Sequence, residues 1–290
     1  MPPTDLPRLP SRQRDTSKYD YGRVVVVGGA TGMAGAPALA AMAALRSGAG
    51  VVEALVPEQL VAIAAGFDPC IMVRGLPGRV DGTFATDAIG AIESRTERAD
   101  VVAVGPGLGR SDAVVQIVSH LWHHLPHPAI FDADALWSLA HIDRGELARH
   151  AGPRILTPHA GEMRRLLGAD PTSSQDRDRG WLERETATLA TSIDAVIVLK
   201  GPATLIVDST KRATNDTGNP GMATAGTGDV LTGVTAALVA QRLLPFDAAR
   251  LATWVHGRAG DLATEAIGEV SMTARDLLDR LHLAFREMAG

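Results

Sequence analysis

The chain is almost without cysteine, short of lysine and poor in aromatic residues. A single Cys, Cys70, in 290 residues excludes an intrachain disulfide and any cysteine-based metal cluster. Aromatic residues make up only 4%, too few for a surface that stacks nucleic-acid bases, so the core has to be aliphatic and rich in Ala and Gly. Lysine occurs at Lys18, Lys200 and Lys211 alone, and 28 Lys and Arg face 33 Asp and Glu for a net charge of −5. That balance excludes a basic nucleic-acid coat, and any anionic ligand must be held by other means. Long apolar runs are missing too: the stretch from Ala34 to Leu45 is interrupted by Gly35 and Pro37 and stops at Arg46. The N-terminus has no apolar signal core. A cytoplasmic protein with neither membrane nor nucleic-acid partners is expected.

What is present is ordinary for a packed globule, with 46% hydrophobic and 21% charged residues. Residues 1–20 are rich in Pro and charge and read as a flexible arm; residues 21–290 read as one domain. Short β-branched runs alternate there with longer Ala/Leu patterns, the signature of βαβ units. Strands are expected at Val24–Val27, Val51–Leu55, Ile71–Val73, Val101–Val104, Ala129–Phe131, Ile155–Leu156, Val196–Leu199 and Thr204–Val207. Several are apolar throughout, as a sheet covered on both faces requires. Helices are expected around Ala36–Ser47, Ser111–Leu121, Gly161–Leu167 and Arg177–Ser192, and almost continuously from Gly228, over Phe246–Glu265 and Thr273–Met288. The fold class is three-layer α/β/α with a mostly parallel central sheet.

Three glycine-rich turns follow apolar strands. The first, Gly28 to Ala36, has the wrong glycine spacing for a dinucleotide fingerprint, although Glu53 stands roughly where that fingerprint places an acid. No Gly-Lys-Ser/Thr follows any such turn, which excludes a Walker loop. The second, Val104–Gly109, lets backbone amides face a ligand at the carboxyl edge of the sheet. The third, Gly218 to Gly233, runs into a helix starting near Gly228 or Asp229. Free amides at a helix start, closed in by glycines, make an anion hole without lysine. An acid beside it, Asp229 after Gly226-Thr227-Gly228, is placed to take a proton from a hydroxyl that attacks a phosphate.

Two further features sit at strand ends. Lys200 ends an apolar strand, and His159 and Glu162 stand three apart at a helix start, where a carboxylate can hold Mg²⁺ through water and a histidine can donate to a ligand. His120, His123, His124 and His127 have helical spacing, but with no Cys or carboxylate interleaved they read as a solvated helix end rather than a zinc site.

These residues, taken together, resemble the ADP/ATP-dependent NAD(P)H-hydrate dehydratases, a branch of the ribokinase-like superfamily, from about Tyr21 onward. The matching segments are Gly28–Gly50, Val104–Gly109, Asp132–Leu136, Leu156–Met163, Lys200–Thr204 and Gly218–Gly233. The resemblance implies a hydro-lyase that repairs (S)-hydrated NADH or NADPH by phosphorylating the added hydroxyl with ADP or ATP and expelling phosphate. It implies Asp229 as base, with Gly226, Thr227 and Gly228 holding the transferred phosphoryl group. Ala36, Gly107, His159 and Asp229 match positions that contact the hydrated dinucleotide; Lys200, Gly201, Pro202, Ala203, Thr204 and Gly228 match those that contact the adenine nucleotide. Glu162 matches the Mg²⁺-associated acid. A homotetramer is implied as well.

Two positions depart from the family pattern, Ala30 where Ser is more frequent and Ala225 where another Gly is. A positive φ at position 225 would cost Ala about 1 kcal/mol and loosen the hole. Many relatives carry an epimerase domain ahead of this one; with only a short arm before Gly28, epimerisation is expected to belong to a separate protein. The competing readings are a ribokinase-like kinase of a vitamin precursor and a nucleotide-binding protein without chemistry.

Overall fold

The computed structural model describes residues 2–169 and 178–289. Its centre is a nine-stranded sheet in the order β3-β2-β1-β4-β5-β6-β7-β8-β9. The strands are β1 (Arg23–Val27), β2 (Val51–Pro57), β3 (Met72–Leu76), β4 (Val101–Val104), β5 (Ala129–Phe131), β6 (Arg154–Leu156), β7 (Val196–Leu199), β8 (Thr204–Val207) and β9 (Arg212–Asn215). Pairing is parallel through β7 and antiparallel from β7 to β8 and β8 to β9. Every residue of β4, β5, β6 and β7 is buried, which is why these segments read as apolar runs, Arg154 at the start of β6 excepted. Each fully buried Val or Leu there contributes roughly 1.5–3 kcal/mol. β9 was not anticipated: its Arg-Ala-Thr-Asn sequence is that of a half-exposed edge.

One face of the sheet is covered by α1 (Gly35–Arg46), α8 (Thr227–Ala240), α9 (Pro245–Ile267) and α10 (Ala274–Ala289). The other is covered by α3 (Ala88–Thr96), α4 (Asp112–His124), α5 (Asp134–Leu139), α6 (Ala160–Leu166) and α7 (Arg179–Ser192). The small α2 (Val61–Ala65) packs beside β3. Arg177, expected to open α7, lies outside the described residues; Asp178 caps the helix by accepting from the Trp181 amide. The paucity of aromatics is resolved by small residues: a Cβ on Gly233 of α8 would run into the Ala40 carbonyl of α1, so the two helices touch through their backbones.

The N-terminal segment lies against the body. Asp5 pairs with Arg250 at 2.8 Å, Leu6 is buried, and the Arg12 guanidinium donates to the Gly48 carbonyl at 2.6 Å. No described helix is long and apolar enough to cross a membrane.

Candidate active site

In the strand order the chain departs from β1 to one side and from β4 to the other, so the loops after these two strands diverge and leave a crevice at the carboxyl edge. Both loops are the glycine turns. A Cβ on Gly28 would collide with the Pro106 carbonyl, and one on Gly107 would lie 3.0 Å from the Ala36 Cβ. The fold thus brings Ala36 and Gly107 together. Glu53, the candidate ribose acid of a dinucleotide fingerprint, instead pairs with Arg74 at 3.0 Å.

The next strands along the edge supply charge. After β5 the backbone takes an unusual conformation at Ala133 (φ 51°, ψ −120°), a strain of about 1–3 kcal/mol. It sets apart two carboxylates. Asp134 accepts from the Gly109 amide (3.0 Å) and the Arg110 guanidinium (2.9 Å), tying down the second glycine turn. Asp132, 1% exposed, accepts from Lys200 Nζ at 2.9 Å and from the Thr232 hydroxyl of α8 at 2.7 Å. Lys200 follows β7 and its amide donates to the Pro158 carbonyl at 2.8 Å, which holds it beside the segment after β6. There His159 caps α6: its Nδ1 accepts from the Gly161 and Glu162 amides, which leaves the proton on Nε2, while Glu162 accepts from the His159 amide at 2.8 Å. Glu162 Oε2 stands 3.8 Å from Lys200 Nζ.

The third glycine turn closes the site from above. Gly226 has φ +92°, so a side chain there would be strained, and a Cβ would also press on Leu39 at 2.8 Å. α8 starts at Thr227, one residue earlier than expected, with Val230 N donating to Gly226 O at 3.1 Å. The amides before Val230 are thereby left for a ligand. A Cβ on Gly228 would lie 3.4 Å from Lys200 Nζ, an ordinary contact distance, so the start of α8 stands directly against the ammonium. Ala225 is absent from the residues with positive φ, and the alanine costs the turn nothing.

Electrostatics follow from this crowding. Burial, reinforced by Asp132, Asp134 and Glu162 and opposed by Lys200, pushes the Asp229 carboxyl up to about 7. Burial likewise raises Glu162. Lys200 is disfavoured by its own burial, but Asp132, Glu162 and Asp229 outweigh that and hold its ammonium above the ordinary range. A carboxyl near 7 is matched to general-base work at neutral pH.

Beside the cluster opens a cavity of about 570 Å³. Its walls include Lys200, Gly201, Pro202, Ala203 and Thr204, the 215–220 loop, Thr227, Gly228 and His256. Ala36, Gly107, His159 and Asp229 are not on its walls; Ala36 and Gly107 meet in the crevice, and His159 stands beside Lys200 through a backbone bridge. Sequence reasoning missed Asp132, Thr232 and His256 as parts of this constellation. Their only signals were a buried polar residue type within an apolar helix or after an apolar strand. His256, forced to about 4 by burial, is neutral and sits 2.8 Å from the Thr227 carbonyl.

The described residues contain no group of three His, Cys, Asp or Glu able to hold a metal by themselves. Of the four histidines near the end of α4, His120 bonds Glu93 at 2.7 Å and stacks on His124. Glu162 instead offers a hard carboxylate oxygen beside Lys200, which lines the cavity, a donor that suits Mg²⁺ arriving with phosphates and keeping much of its water.

Comparison with known proteins places this architecture. The chain superposes on a ribokinase-like superfamily protein from Enterococcus faecalis with a TM-score of 0.80 and 26% identity, over 97% of this chain and 92% of that one, which establishes a ribokinase-like fold. The NAD(P)H-hydrate dehydratase family matches residues 24–283, and the chain belongs to it. An ADP/ATP-dependent NAD(P)H-hydrate dehydratase from Bacillus subtilis, co-crystallized with ATP and Mg²⁺, is 28% identical with a TM-score of 0.76, over 97% of this chain and 94% of that one. A bifunctional NAD(P)H-hydrate repair enzyme from Moorella thermoacetica is 45% identical over 282 residues, 97% of this chain and 52% of its own length. The chain spans about half the length of the curated relatives it matches.

Proposed function

We propose that the protein is a nucleotide-dependent hydro-lyase that restores (S)-hydrated NADH or NADPH to the reduced dinucleotide at the expense of ADP or ATP. The observation that carries this reading is Asp229: a carboxyl held near 7, in the first turn of α8, directly after the Gly226-Thr227-Gly228 amides and beside Lys200. Membership of the dehydratase family favours it over a vitamin-precursor kinase.

In this reading the adenine nucleotide occupies the 570 Å³ cavity, with Lys200 to Thr204 along it, and its terminal phosphate meets the amides of Gly226, Thr227 and Gly228. The hydrated nicotinamide lies toward Ala36 and Gly107, with His159 donating from Nε2. Asp229 takes the proton of the substrate hydroxyl as its oxygen attacks the phosphorus, and the nucleotide leaves shortened by one phosphate. Phosphate is a far better leaving group than hydroxide. The ring-nitrogen lone pair then expels it, a proton leaves the adjacent carbon, and the double bond is restored. Lys200 balances the charge on the transferring group, and Asp132, bonded to it, keeps the ammonium in place. Glu162 is the residue that would hold, through water, a Mg²⁺ brought by the nucleotide, and such an ion would supply charge neutralisation at the phosphates. A homotetrameric assembly is part of the proposal.

Incubation with hydrated NADH, Mg²⁺ and either ADP or ATP tests this. Recovery of the reduced-nicotinamide absorbance is expected; no recovery with either nucleotide overturns the reading.

A further inference from the structure

At the opposite edge of the molecule lies a second large cavity, about 540 Å³, roofed by the N-terminal segment and floored by the ends of α1, α8 and α10. Its lining is unusual for a chain of net charge −5. It holds Arg8, Arg12, Arg46 and His282, and no Asp or Glu. Among the described residues none of these three arginines is in an ion pair. Arg12 is nonetheless fixed in place: its guanidinium lies 3.9 Å over the Tyr21 ring and donates to the Gly48 carbonyl at 2.6 Å. The Gln241 amide meanwhile donates to the Ser47 carbonyl at 2.9 Å. These bonds satisfy carbonyls at the end of α1, whose partial negative charge would otherwise oppose an anion. The remaining wall is apolar, from Leu9, Leu251, Phe285 and Met288. The roof is pinned on both sides, at Asp5–Arg250 and at Arg12–Gly48.

We infer that this cavity is a second ligand site, taking a small amphipathic anion whose phosphate or carboxylate meets Arg12 and Arg46 and whose apolar body lies against Leu251 and Phe285. The volume is in the range of small-molecule sites, and a fixed guanidinium, Arg12, with further arginines outside any ion pair beside an apolar wall, is the chemistry that recognises such a molecule. The site stands apart from the phosphoryl-transfer centre, at the far ends of the helices α1 and α8 whose beginnings border that centre, so it neither uses nor requires the proposed function.

Calorimetric titration of the full chain with octyl phosphate and with octanoate tests the site and separates the two anion types, with octanol and inorganic phosphate as the halves of the probe. Binding of at least one amphiphile is expected, more tightly than either half. Arg46→Glu, an exposed substitution that breaks no ion pair, is expected to weaken it about tenfold or more, and Arg12→Gln similarly. Circular dichroism and melting confirm that both variants are folded. Failure of both amphiphiles to bind, inorganic phosphate binding as tightly as octyl phosphate, or affinity unchanged in Arg46→Glu overturns the inference.

Discussion

A buried cation and a partly buried one, at the ends of neighbouring parallel strands, show how differently the two edges of this sheet are used. Arg154 opens β6 at the amino edge, 1% exposed, and its guanidinium is satisfied by backbone carbonyls alone: Trp122, Leu125, His127 and Pro153. Burial lowers it to about 10, still far above neutrality, so its charge is permanent and inert. Lys200 follows β7 at the carboxyl edge and is surrounded by ionisable partners, Asp132, Glu162 and Asp229. The fixed dipoles around Arg154 tie β6 to the end of α4 and the loop after it, whereas beside Lys200 burial raises the Glu162 and Asp229 carboxyls toward the protonated form. A buried charge met by carbonyls is architecture; one met by titratable acids is a place for chemistry.

The contrast can be broken at several points. Asp229→Asn removes the proposed base and is expected to lower turnover by about 10²–10⁴ in a steady-state assay; undiminished turnover would move the centre elsewhere. Lys200→Met is expected to cost about 10²–10³ in turnover and to raise the nucleotide KM, because the proposed ammonium contact to phosphate is lost and Asp132 loses its ion-pair partner. Arg154→Met is expected to leave the kcat of folded protein unchanged while lowering stability by about 3 kcal/mol in denaturant unfolding, since it strands several buried carbonyls. If Arg154→Met instead reduced kcat with little loss of stability, the division between edges would fail.

Protonation sharpens the comparison further. The Asp229 carboxyl lies near 7 when folded and at 3.8 when exposed, so the folded form holds its proton more firmly. The stability it contributes is full below pH 3.8 and is lost as pH rises through about 7, on the order of 2 kcal/mol between about pH 5 and pH 7. Asp229→Asn, which cannot titrate, is therefore expected to melt progressively higher relative to the parent as the buffer is taken from about pH 5 to pH 8. A constant gap would show that Asp229 does not titrate there. The smallest effect belongs to Ala225→Gly. With no positive φ to relieve, it is expected to lower stability by about 0.5 kcal/mol and leave turnover within twofold.

Much of this was legible in the linear sequence, and the parts that were not share a cause. The parallel strands announced themselves because strands covered on both faces must be apolar throughout; Val101–Val104 and Val196–Leu199 have the expected bounds. β9 escaped notice because an edge strand half in solvent carries polar residues, and α3 and α5 because nine and six residues give little periodicity. Asp229 could be found from the glycines beside it. Asp132 could not, because the residues that give it meaning lie 68 and 100 positions away at Lys200 and Thr232. Its importance is a property of the topology, which brings β5, β7 and α8 to one point.

The reversal of chain direction after β7 has a further consequence. Every other loop at the carboxyl edge is the start of a long crossover, and its length is tied to the helix that follows. The stretch from Lys200 to Asn219, by contrast, leaves the sheet, returns as an antiparallel pair and forms one wall of the 570 Å³ cavity within twenty residues. That wall is a separable module at the rim of a fixed scaffold. Selection acting on its turns can retune which ligand the cavity accepts without disturbing the register of the seven parallel strands, whose ends carry Asp132 and Lys200.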